Sequence, residues 1–208
     1  AVRAFGDATD VAARVALRSL NLVPDKDVQL IEVNSEGARV ATALAGKACC
    51  TVAQPQDRPL LESNGFHQLF DFSKLQGVKN AQGVIAVQRS YVTGNKAAVQ
   101  AFMTSLIAAI AAEKDDKPGS LALIKKYLEL DKASGSGTPT PSAASADQIA
   151  TVIYDYFVGQ VIPGNPTVSA DQFSDGIAIL ATKNDKLKGF DMARFINTSF
   201  LENAKRAS

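Results

Sequence analysis

The 208-residue chain is poor in the side chains that carry most protein chemistry. It has one histidine, His67, and two cysteines, Cys49 and Cys50, which are neighbours. General acid–base work by His67 would need a partner held against it in a pocket, and the local sequence names none. The cysteines stand in the apolar stretch ACCTVA, which reads as a strand. Adjacent strand residues point to opposite faces, which argues against a mutual disulfide. With no histidine or carboxylate at ligand spacing nearby, a metal site is not expected either. Dense Lys/Arg runs are also missing, and the net charge of +1 argues against an overall basic field for nucleic acid. The longest apolar stretch, FMTSLIAAIAA at 102–112, is shorter than the ~20 residues of a bilayer span and reads as a buried helix. There is no nucleophile elbow, no Walker loop and no G-x-G-x-x-G. No catalytic residue and no cofactor is therefore expected. The chain shows no signal peptide.

What is present is an ordinary globular composition, 46% hydrophobic and 21% charged, long enough for one large domain or two small ones. The first third reads as β-α repeats. AVRAF runs through the small-residue turn Gly6-Asp7-Ala8-Thr9-Asp10 into the helix TDVAARVALRSL, whose Val11, Val15, Leu17 and Leu20 fall near helical spacing. DVQLIEV is the second strand, and EGARVATALAG is a helix stopped by Gly46. ACCTVA is the third strand, RPLLESNG a short helix, and FHQLFDF a fourth strand. Alternation of this kind implies a parallel sheet with right-handed crossovers, AVRAF lying between the next two strands. Ligands of such sheets bind beyond the carboxyl ends of the strands. Those ends are residues 6–10, 34–36 and 54–56. GVIAVQRSYV (83–92) is the last strand, and the remainder reads as helices separated by a Ser/Gly/Pro-rich connector at 134–146.

The stretches GDATDVAARVALRSLNLVPDKDVQLIEV, EGARVATALAGKACCTVAQP, GVIAVQRSYV and FDMARFINTSFLENA, in this order, resemble the substrate-binding proteins of bacterial ABC importers. The group concerned serves nitrate, sulfonate, taurine and related solutes. The resemblance implies an α/β fold, a type 2 periplasmic-binding-protein lobe with a parallel three-layer sheet, followed by a C-terminal helical segment. Residues 1–82 would be the second lobe, and 83–208 the return crossing and C-terminal helices of the first. The opening part of the first lobe would be absent, which leads to an expectation of self-association or of a missing N-terminal partner segment. The implied function is capture of a small solute in an interlobe cleft, with an ABC permease as partner and a periplasmic or extracytoplasmic location. The thiamine-pyrimidine synthases resemble these proteins but use a cysteine-rich motif and histidine, for which Cys49-Cys50 and His67 are a poor substitute. A regulatory or interaction module is a third reading.

Candidate ligand-binding residues follow from the strand ends. Gly6, Asp7, Ala8, Thr9 and Asp10 present helix-start N–H groups, which suit an anion. Asp7 and Asp10 carry carboxylates that cap the helix themselves and repel anions, so a neutral or zwitterionic solute fits better than nitrate. Ser35 can cap its own helix, and Arg39, a turn further in, can reach a ligand carboxylate or pair with Glu36. Asn34 and Gln54 complete the set. Tyr154, Tyr156 and Phe157, at helical spacing, read as core.

Overall fold

The computed structural model describes residues 1–74, 83–130 and 144–207. Its described helices, in chain order, are α1 (Ala8–Ser19), α2 (Glu36–Leu44), α3 (Arg58–Ser63), α4 (Arg89–Gly94), α5 (Lys96–Asp115), α6 (Lys117–Tyr127), α7 (Ala146–Tyr156), α8 (Ser174–Ala181) and α9 (Ser199–Ala207). Helix makes up 61% of the structure and strand 2%, with no sheet among the described residues. The expected α/β fold, with its parallel three-layer sheet, is therefore corrected: the chain is predominantly helical.

The helices form where local signals are strong. Asp7 caps α1 by accepting the N–H groups of Thr9 and Asp10, and Ser35 caps α2 by accepting that of Ala38. Gly46, at a left-handed φ of +69° that glycine adopts most readily, ends α2 as Lys47 N–H turns back to the Thr42 carbonyl at 3.0 Å. Ser145 and Gln148 exchange hydrogen bonds in a capping box ahead of α7, Ser145 N–H to Oε1 at 2.8 Å and Gln148 N–H to Oγ at 3.2 Å. Of the two, Ser145 belongs to the expected flexible connector. Its stretch 134–143 lies outside the described residues.

The expected strands fail for a visible reason. Val2 makes one parallel bridge to Glu32, through Val2 N–H to the Ile31 carbonyl at 2.9 Å and Val33 N–H to the Val2 carbonyl at 3.1 Å. The ladder stops there, because Phe5 N–H donates to the Glu32 carboxylate at 2.7 Å instead of a backbone carbonyl. On its other side Val2's neighbour Ala1 is met by the Cys50 carbonyl at 2.6 Å, Val52 N–H at 3.4 Å and the Thr51 hydroxyl at 3.5 Å. AVRAF is thus threaded between the two stretches expected to flank it, but no continuous ladder forms. FHQLFDF has no strand either, and of GVIAVQRSYV only its last four residues are regular, as part of α4.

The chain divides into two compact units. The first comprises Ala1–Val78 and Leu121–Tyr156. Its core holds Val2, Val11, Val15, Leu30, Val40, Leu61, Ile149, Ile153 and Tyr154. Here α7 packs on the short turn Pro55–Asp57. The second unit comprises Lys79–Ser120 and Phe157–Ser208 and is organised by α5 lying against α9. Ile107, Leu201 and Ala204 are buried there with Met103 against them. The apolar run expected to form a buried helix lies in α5, which continues to 20 residues and buries only Val99 and Ile107. By length and composition α5 could also cross a membrane.

Candidate functional site

The loop-to-helix turn into α1 is a closed hydrogen-bond system. Gly6, at φ +84°, lets the chain double back so that its N–H reaches the Asp10 carboxylate at 2.9 Å. Asp7 Oδ1 accepts from Thr9 N–H at 2.8 Å, Asp10 N–H at 3.0 Å and Thr9 Oγ1 at 2.7 Å, and Asp7 Oδ2 pairs with Arg3 Nε at 2.7 Å. Thr9 Oγ1 in turn accepts Arg3 N–H at 2.8 Å. Partial burial pushes the Asp7 carboxyl up, but these donors outweigh it and hold the group below its ordinary range. The helix-start donors of Thr9 and Asp10 are thus occupied from within.

Behind the turn lies a charge cluster that the sequence reading missed. Asp10 is 1% exposed and its Oδ1 accepts from Arg14 Nε at 2.8 Å. Arg14, also buried, reaches on through Nη1 to Asp25 at 2.7 Å. The i,i+4 spacing of Asp10 and Arg14 was the available signal. Asp25 lies beyond local reach, and its positive φ of 67° sets its approach.

The second candidate group is drawn to the first by the backbone: Asn34, at φ +60°, donates its N–H to the Arg3 carbonyl at 2.8 Å. Ser35 Oγ accepts Ala38 N–H at 3.1 Å and so acts as the cap of α2. Arg39 makes no hydrogen bond or ion pair with Glu36, one of its two expected roles. It is 2% exposed, its Nη1 donates to the Val52 carbonyl at 2.6 Å, and its Nε is buried with no hydrogen-bond partner. Glu36 instead accepts from Gln56 Nε2 at 2.8 Å. Burial lowers the Arg39 guanidinium's pKa, and the nearby charges of Glu36, Asp57 and Asp7 oppose that fall. Asp57 is raised, first by burial and then by Glu36, although it accepts Gln54 N–H at 2.9 Å and feels Arg39. Gln54 therefore sits beside Arg39's carboxylate surroundings through its backbone.

His67 is exposed. Tyr154 is core, while the Tyr156 hydroxyl is raised by burial and by the charge of Asp71. Cys49 and Cys50 are free and exposed, and the chain bends at Cys49 instead of running on as a strand. Their Sγ atoms approach to 3.1 Å, so the reading of opposed side chains is corrected. Among the described residues no group of three or more His, Cys, Asp or Glu is arranged to hold a metal ion. A separate open groove of about 530 Å³ occurs in the second unit, with Lys96, Gln100, Asn197 and Asn203 on its walls; none of the expected site residues lines it. Comparison of the chain with family models, with curated proteins and with solved structures finds no match in any of the three.

Proposed function

We propose that the chain binds a small solute as the capture component of an ABC importer, and that Arg39 is the anchor. The reading draws on the order of the sequence stretches quoted above and on one structural observation, the under-satisfied guanidinium. The helical fold is not the α/β lobe that the resemblance implies, and the reading does not rest on it. A buried cation is normally paired, and Arg39 has one carbonyl hydrogen bond and an orphaned Nε in reach of three carboxylate fields. A solute carboxylate would supply a bidentate partner. The acidic surroundings, Asp7, Glu36 and Asp57, disfavour a simple anion and favour a solute that also carries a positive or donor group. A zwitterion is the class this arrangement suits. In this reading the partner is a permease, and the location is extracytoplasmic. Since Arg39 is covered, binding must loosen the Val52 contact.

Titration calorimetry of the full chain against amino acids, sulfonates, pyrimidines and small inorganic anions tests this. An amino-acid-like zwitterion should bind, and Arg39→Lys should weaken it at least about tenfold because a point charge cannot reproduce the planar fork. Binding unaltered by Arg39→Lys, or no binding across the panel, overturns the reading.

A further inference from the structure

We propose that Cys49 and Cys50 form a redox-sensitive dithiol that closes, under mild oxidation by a low-molecular-weight disulfide, into a disulfide between neighbours. Three observations carry it. The two thiols are both free and both exposed, so a small oxidant can reach either. Their sulfurs already face each other at 3.1 Å, so closure requires little side-chain movement. The bend at Cys49 replaces the strand geometry that would have turned them apart.

The chemistry balances without another co-reactant. One thiolate attacks a sulfur of the oxidant, forming a mixed disulfide and expelling one small thiolate. The second cysteine, as thiolate, attacks the cysteine sulfur of that mixed disulfide and expels the other small thiol. Two protons leave the protein thiols, the chain loses two electrons, and the oxidant is reduced to two thiols. The second step is intramolecular between neighbouring side chains, so it outruns capture by another molecule.

The product is strained, which makes it a switch more than a staple. Consecutive Cα atoms stand about 3.8 Å apart across a trans peptide, below the roughly 4.4–6.8 Å usual for disulfides. Ring closure must therefore twist the Cys49–Cys50 peptide, and strained, exposed disulfides are readily reduced. That peptide is not idle. The Cys50 carbonyl accepts from the Ala1 nitrogen at 2.6 Å, and two residues on the Val52 carbonyl holds Arg39 at 2.6 Å. Closing the ring displaces the first contact directly and strains the second.

The test is to incubate the full chain with excess oxidised glutathione and follow intact mass and free thiol. The expected product is a monomeric chain lighter by two hydrogens, with two equivalents of glutathione thiol released. Neither cysteine should then react with iodoacetamide until a reductant is added. Digestion should place the link within a single peptide containing both residues. Cys49→Ser and Cys50→Ser should each stop at the stable glutathione adduct. Wild-type chain that ends as a glutathione adduct, as a disulfide-linked dimer, or unreacted overturns the proposal. The wild-type result alone decides it should a variant fail to fold.

Discussion

Asp7 and Arg14 show how differently two charged side chains a few residues apart bear on stability. Asp7 caps α1 with three acceptor contacts on one oxygen. Asp7→Ala should cost about 0.5–2 kcal/mol in urea unfolding, whereas Asp7→Asn, which keeps an acceptor oxygen, should cost less. The same Asp7→Ala change should improve affinity for an anionic solute at the Arg39 site by removing a like charge. Arg14 offers a contrast within a single guanidinium. Replacing it with Met strands Asp10, a buried carboxylate, and should cost about 3–5 kcal/mol. Asp25→Asn touches a side chain 44% exposed, preserves the tolerance for positive φ, and should cost about 0–1 kcal/mol. The carboxyls also separate by pH. Asp7, held low, stabilises above its unfolded pKa, and that contribution disappears as pH falls through its folded value. Asp57, held high, does the reverse: its contribution is complete below its unfolded pKa of about 3.8 and is lost as pH rises through the folded value. Asp57→Asn keeps the cap acceptor for Gln54 and should raise the melting temperature at pH 7 but not at pH 3, as differential scanning calorimetry would show.

Helices were legible in the sequence because their signals are local. The Asp7 and Ser35 caps, Gly46 past the end of α2 and the apolar spacing of Val11 and Val15 need no distant partner. Strands were not legible, since a strand exists only if another backbone answers it. AVRAF, DVQLIEV and ACCTVA have the right residues, yet Glu32 intercepts the Phe5 N–H and Cys49 bends the third stretch away. The site divides along the same line. The capping role of Asp7 could be read from its position, but the burial of Arg39 and the Asp10–Arg14–Asp25 chain depend on what folds over them. At this scale α5 provides a discriminating test. Ile107→Ala, facing Leu201 and Ala204, should cost about 2–5 kcal/mol. Phe102→Ser, on a side chain 53% exposed, should stay within about 0.5 kcal/mol, measured by the same unfolding titration. A large Phe102 effect would mean that this face is covered in solution.

At the scale of the whole molecule, far-ultraviolet circular dichroism should show a spectrum governed by helix, as 61% helix with no sheet among the described residues requires. A strong sheet contribution would refute this fold. Each compact unit is assembled from two separate stretches of chain, with α7 returning to Pro55–Asp57 in the first and α9 returning to α5 in the second. That has a consequence during synthesis. The first unit cannot seal its core until Tyr156 has left the ribosome, about 4–16 s after Val78 at roughly 5–20 residues per second for an intervening chain of this length. Through that interval Val40, Leu61 and their neighbours are unsealed. Protease challenge of stalled nascent chains should therefore find the first unit cleavable when synthesis is arrested before α7 and protected once α7 is exposed outside the tunnel.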